Sequence, residues 1–123
     1  MAQSAIDLLD DKTAIDRHHL GRMTLGDRGL EQEVLQLFDR QAALLIERMR
    51  GGDAAKIGAL AHTLKGSAAG IGAGPVALAA QSLEQAVTRA AADPSVEVSA
   101  AIDRLAAAVE EARALIAELL AER

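Results

Sequence analysis

The sequence predicts an all-α protein, an up-and-down four-helix bundle with an additional short N-terminal helix. Three observations predict it. Hydrophobic residues make up 50% of the 123, yet Phe38 is the single aromatic among them, so the core must be built from Leu, Ala, Ile and Val, a composition that favours packed helices over a β-sandwich. Apolar residues recur at threes, fours and sevens, the period of a helix with one buried stripe. Gly, Pro and Asp interrupt these stretches at short intervals, and short connections between long amphipathic helices make antiparallel neighbours. One domain with its own core is expected at this length. Residues 1–12 are read as an N-terminal extension, either a short helix or a flexible segment, and residues 13–123 as the bundle.

The elements follow in order. Ile6, Leu8 and Leu9 suit a short turn or helix. Thr13 can cap a first helix with apolar positions Ile15, Leu20 and Met23, ended by Gly26. Asp27 is the expected N-cap of a long helix, with Glu31 and Glu33 placed favourably for its dipole. Leu30, Val34, Leu37, Phe38, Leu44, Leu45 and Met49 form its apolar stripe, and Gly51-Gly52 stops it. Asp53 caps the next helix, which carries His62 and runs to about Gly70. Gly70, Gly72, Gly74 and Pro75 mark a turn, and Pro75 suits the first turn of a helix reaching about Ala91. Asp93-Pro94 breaks it. Ser95 or Ser99 starts a last helix that presents Ile102, Leu105, Val109, Ala112, Ile116 and Leu119 on one face.

Composition excludes several classes. A net charge of -5 argues against nucleic acid as a partner. The absence of cysteine excludes disulfides and thiolate metal sites. No stretch approaches the roughly 18–20 apolar residues of a membrane span. The acidic start MAQSAIDLLDDK does not read as a signal peptide, so a cytoplasmic protein is expected.

The stretch AHTLKGSAAGIGAG, residues 61–74, carries the chemistry. At about 100° per residue, Ile57, Leu60, Ala61, Leu64, Ala68 and Ile71 share one sector, the core face, and His62 falls about 140° from its centre. His62 should therefore face solvent or a partner. Its surface neighbours, three or four residues away, are Gly58, Ala59, Lys65 and Gly66, with Ala55 and Ala69 one turn further. Glycine inside a helix costs about 1 kcal/mol against Ala, so Gly58 and Gly66 are read as clearance for something bulky approaching the ring. No Asp or Glu occurs from Ala54 to Leu83, while Lys56 and Lys65 remain. An anion beside His62 is thus expected to meet Lys65 and no fixed negative charge. With a reference pKa of about 6.5, a neutral imidazole is a fair nucleophile near pH 7, and a phosphoryl group is the anion that fits. Ser67 or Thr63 could donate a hydrogen bond, or bond back to its own helix.

At these residues the sequence resembles the histidine-containing phosphotransfer (HPt) domain family. The motif stands as His62-Thr63-Leu64-Lys65-Gly66-Ser67 followed by Gly72-Ala73. Leu83-Glu84 is similar to the family's next helix, and Gly26-Asp27, Leu37-Phe38 and Gly52-Asp53 are similar in spacing, so the likeness covers residues 13–120. Gly70 departs from the pattern, where the family often has a larger residue. The resemblance implies a relay. His62 would be the phosphoacceptor, Lys65 the charge-stabilising lysine, and Gly66 the residue that leaves the ring accessible. Gly58, Ala59, Ala69 and Lys56, with part of the first helix, would meet the partner. The phosphoryl group would come from a receiver-domain aspartyl phosphate and pass to another receiver aspartate, with a hybrid histidine kinase upstream. The chain would hold no cofactor of its own, and the receiver would supply Mg²⁺. It is expected to be a phosphocarrier without kinase activity, a free-standing shuttle and a monomer, since one bundle can close its own core.

Other readings of the same residues carry less. No second His, Cys or carboxylate lies within one turn of His62, which disfavours a metal site. No acid is nearby in sequence to complete a hydrolase triad. His18 and His19 are adjacent and cannot face the same way, so one is read as packed and one as solvated. A non-catalytic helical adaptor or dimerisation module that happens to carry the motif is the alternative function.

Overall fold

The computed structural model describes residues 14–122, and all of its regular structure is helical. The helices are α1 (Arg17–Met23), α2 (Arg28–Met49), α3 (Ala54–Ile71), α4 (Gly74–Ala92) and α5 (Val98–Ala121). Thr13, the Ile6-Leu8-Leu9 cluster and the extension 1–12 lie outside the described residues.

Local chemistry sets the starts. The Asp16, Asp27 and Asp53 side chains accept from the N–H groups of His19, Leu30 and Lys56, so each satisfies one orphan donor of a helix first turn. Asp16, not Thr13, is therefore the cap of α1. Ser95 does not cap the last helix either. Its N–H and hydroxyl both bond Asp93 Oδ1, a local Asx turn, and α5 begins at Val98 with Glu97 before it.

Packing then selects faces. α3 lies against α2 and α4, and α5 against α4 and α2, so the long helices make a closed ring of neighbours, with α1 resting on α3. The ring buries Leu35, Phe38, Leu45 and Met49 of α2, Ile57, Leu64 and Ile71 of α3, Val76 and Leu83 of α4, and Leu105, Val109 and Ile116 of α5. Buried alanines, among them Ala42, Ala61, Ala68, Ala80 and Ala112, let the backbones approach closely. The α5 face matches the sequence expectation at every named position.

Two expectations change. Ile15 is buried but precedes α1, and Met23 is exposed, leaving Leu20 as the one buried side chain within that helix. On α2 the expected single stripe splits. Leu35, Phe38, Ala42, Leu45 and Met49 are buried, whereas Leu30, Leu37 and Leu44 are 41%, 58% and 44% exposed. A spacing of seven drifts only about 20° per repeat, so these three stay together, roughly 120° from the centre of the buried set. The residues named for the stripe spanned too wide an arc for one face to bury.

The end of α3 is anchored twice. Gly72 adopts a left-handed conformation, φ 82°, and closes the helix through its N–H. Its carbonyl accepts from the Asp16 N–H at 2.8 Å, and the Gly70 carbonyl accepts from the His19 ring at 3.2 Å. His19 is thus the half-buried histidine and His18 the exposed one. The helix runs one residue past the expected Gly70.

Candidate functional site

α3 is a helix with an aliphatic core side and a nearly bare outer side. Ile57, Ala61, Leu64, Ala68 and Ile71 are buried, with Leu60 partly so. Anchoring that side turns His62 outward, and its side chain is 72% exposed. A Cβ added at Gly66 would meet nothing within 4 Å, so the approach to the ring past that residue is open. Ala59, Ala69 and Lys56 are exposed on the same helix. Thr63 donates its hydroxyl to the Ala59 carbonyl at 3.1 Å, which occupies it within the helix.

The ring is not surrounded by neutral surface. Glu84 of α4 places Oε2 3.1 Å from His62 Nδ1 and Oε1 2.8 Å from Lys65 Nζ. This corrects the expectation that an anion at His62 would meet no fixed negative charge. A carboxylate can only accept, so the contact sets the ring proton on Nδ1 and leaves the Nε2 lone pair outward. Nε2 has no hydrogen-bond partner among the described residues. The Lys65 ammonium and, behind it, the His62 ring hold the Glu84 carboxyl below its ordinary value of 4.5, against an opposing push from burial. Glu84 is therefore ionised at neutral pH. Its side chain is 26% exposed and that of Lys65 34%, so the pair is partly shielded while the ring stands in solvent.

The remaining candidates separate. Ser67 lies on the other flank of α3, where it lines a cleft of about 190 Å³ with Val34, Leu37, Phe38, Gln41 and Ile71, and it makes no hydrogen bond to His62. Gly58 is half-buried against α4, where an added Cβ would stand 3.7 Å from Val87 Cγ1. Clearance for the ring therefore rests on Gly66, and the small size of Gly58 bears on the α3–α4 seam. Beside Glu84, a groove of about 410 Å³ runs along α4, lined by Lys65, Gln81, Gln85, Thr88 and Arg89. Among the described residues no group of three or more His, Asp or Glu could hold a metal ion.

Glu84 is the residue that the sequence reading named without giving it a function. A signal for it was present. His62 and Glu84 each stand eleven residues from Ala73, at the turn between α3 and α4. In a helical hairpin, residues equidistant from the turn lie at the same level, because both helices rise about 1.5 Å per residue.

Comparison with known proteins gives one positive finding. The family model described as Hpt domain matches residues 30–120, which include α3, α4 and the His62–Lys65–Glu84 cluster. Neither the search of curated proteins nor that of solved structures returned a match.

Proposed function

This chain belongs to the Hpt domain family, and from that premise we propose that His62 is its phosphoacceptor, taking a phosphoryl group from a receiver aspartyl phosphate and passing it to another receiver aspartate. Hpt domains carry out histidine phosphotransfer in phosphorelays, as phosphocarriers rather than kinases, and they work with receiver domains and histidine kinases. The observation that carries the assignment is the ring itself: exposed, held through Nδ1 by Glu84, with Nε2 free.

The transfer balances without an added proton. The Nε2 lone pair attacks phosphorus, the N–P bond forms, and the acyl phosphate P–O bond breaks, its electron pair leaving with the receiver carboxylate. The ring becomes cationic as its lone pair is used. Glu84, already accepting the Nδ1 proton, offsets that charge where it develops. Lys65, tethered to the same carboxylate, keeps an ammonium within reach of the phosphoryl oxygens. Onward transfer is the reverse reaction on a second receiver. Phosphoryl transfer depends on positioning and charge neutralisation more than on covalent machinery, so two docked partial sites suffice.

We assign the Mg²⁺ of this reaction to the receiver, because Glu84 is the carboxylate at the ring and its two oxygens are already engaged. Docking is assigned to the face carrying Ala59, Gly66, Ala69 and Lys56, with Gly58 at its border. Ser67 is assigned no contact with the phosphoryl group, since it faces the α2 side. The closed ring of four long helices among the described residues supports an up-and-down bundle. We take the relaying unit to be the monomer, since one bundle can close its own core. No helix among the described residues is long and apolar enough to cross a membrane. We place the protein in the cytoplasm with its receivers and with the hybrid kinase that feeds them.

The test is phosphoryl transfer from a phosphorylated receiver to the protein, wild type beside His62→Gln. Acid-labile, alkali-stable label on the wild type alone is the expected result. Label on neither, across a panel of receivers, returns the chain to the adaptor reading. Equal label on both moves the acceptor elsewhere.

A further inference from the structure

We propose that the outer face of α2 is a self-association surface, on which a second copy of this chain seats its own α2 antiparallel about a two-fold axis at Leu37. The relay reading does not require this face, and the inference stands or falls separately from it. Leu30, Leu37 and Leu44 project from a helix whose apolar needs are already met by Leu35, Phe38, Ala42, Leu45 and Met49. At about 100° per residue the three exposed leucines fall within roughly 40° of one another, a narrow seam of the kind that pairs helices rather than a face turned to a core.

The pattern around the seam is its own complement. A two-fold contact requires that if residue i meets j, then j meets i. With the axis at Leu37, Leu30 of one copy comes level with Leu44 of the other, and Leu37 meets Leu37. Glu33 and Arg40 flank the seam on its edge away from α3, roughly 40–60° from Leu37. In an antiparallel pair like edges meet, so Glu33 of each copy comes level with Arg40 of the other, twice. Both side chains are exposed, and neither makes an ion pair within its own chain among the described residues. The opposite edge carries Val34 and Gln41, which line the cleft with Ser67, so a parallel pairing would set the charges against uncharged residues. His62 lies about 140° around α3 from Ser67 and about 180° from Ile71, the two residues through which α3 borders this cleft, so a copy seated on the seam leaves the ring accessible.

The seam offers three leucines and one charge pair a side, far fewer than the roughly 20–30 residues a side of a stable interface, so association is weak and depends on concentration. Sedimentation of the full chain from about 10 μM to about 1 mM reads it, since that range brackets weak association constants. The wild-type mass is expected to rise from 12.8 kDa toward twice that value. Leu37→Glu is expected to stay monomeric throughout with unchanged helicity, because Leu37 is already 58% exposed. Glu33→Arg and Arg40→Glu should each weaken association alone and restore it when the two variants are mixed. A wild type that stays monomeric at every concentration overturns the proposal. So does a dimer that Leu37→Glu leaves intact. If Leu37→Glu changes no mass but slows transfer from a receiver, the seam belongs to the receiver and self-association is refuted.

Discussion

At the scale of single residues, Glu84 ties two functions to one carboxylate: it fixes the tautomer of His62 and it anchors Lys65. Glu84→Ala removes both, and transfer to His62 is expected to slow by about tenfold or more, equivalent to roughly 1.4 kcal/mol in the barrier. Glu84→Gln keeps an acceptor for the Nδ1 proton but loses the charge, so its rate should fall between the two. Equal rates for all three proteins would remove Glu84 from the transfer. The carboxyl also gives the fold a pH dependence with a definite sign. Its pKa in the folded protein lies below 4.5, so its contribution is present above the unfolded value and is lost as pH falls through the lowered folded one. Because the side chain is partly exposed, the effect is small, at most about 1 kcal/mol. Urea midpoints measured from neutral to acid pH should decline more steeply for the wild type than for Glu84→Gln. Much of this site was legible in the sequence. His62, Lys65 and Gly66 follow from helical geometry on one segment, whereas the role of Glu84 depends on the register between two helices, which periodicity within either helix does not contain. Lys65→Ala tests the remaining member: it should slow transfer or shorten the lifetime of the phosphorylated ring without abolishing labelling.

At the scale of elements, the joints of the chain are specified by a few backbone positions. Gly72 ends α3 in the left-handed region, and a Cβ there would lie 2.9 Å from the Asp16 carbonyl and 3.2 Å from His19 Cβ. Gly72→Ala therefore meets both a dihedral penalty and a backbone clash, and should cost about 1–3 kcal/mol, read as a lower denaturation midpoint. It should also loosen α1, since Asp16 and His19 bond the Gly72 and Gly70 carbonyls. Leu25, between α1 and α2, shows the converse. It is a non-glycine residue at φ 54° and 90% exposed, so its side chain contributes little packing while its backbone is strained. Leu25→Gly is expected to stabilise by about 0.5–1 kcal/mol, the left-handed cost removed less the entropy that glycine adds to the unfolded chain. Caps and breakers made most of the elements readable in advance: Asp27, Asp53, Gly51-Gly52 and Asp93-Pro94 all stand at helix ends. At two helix starts an equivalent signal competes. Asp16 lies three residues after Thr13, and Ser95 bonds Asp93 instead of a helix, choices that depend on neighbouring carbonyls and side chains rather than on residue type.

At the scale of the whole molecule, the core works by closeness as much as by volume. Ala42, Ala61, Ala68, Ala80 and Ala112 are fully buried between leucines, isoleucines and valines, so helix axes approach over methyl groups while the larger side chains fill the space beside them. Such a core should tolerate changes in the two directions unequally. Leu83→Ala, on α4 beside Glu84, leaves a cavity and is expected to cost about 2–5 kcal/mol. Ala80→Leu, one turn earlier on the same helix, has no cavity to occupy and must push α4 away from its neighbours, at about 1–3 kcal/mol. The two should differ in function more than in stability. A cavity lets the site relax without moving its backbone, whereas overpacking displaces the helix that carries Glu84 relative to the one that carries His62. A bond of 3.1 Å between them cannot absorb a shift of an ångström or more. Ala80→Leu should therefore slow phosphoryl transfer beyond what Leu83→Ala does under conditions where both proteins are fully folded. If transfer instead followed stability alone, with the cavity variant the slower, the α3–α4 register would have no hold on the His62 ring.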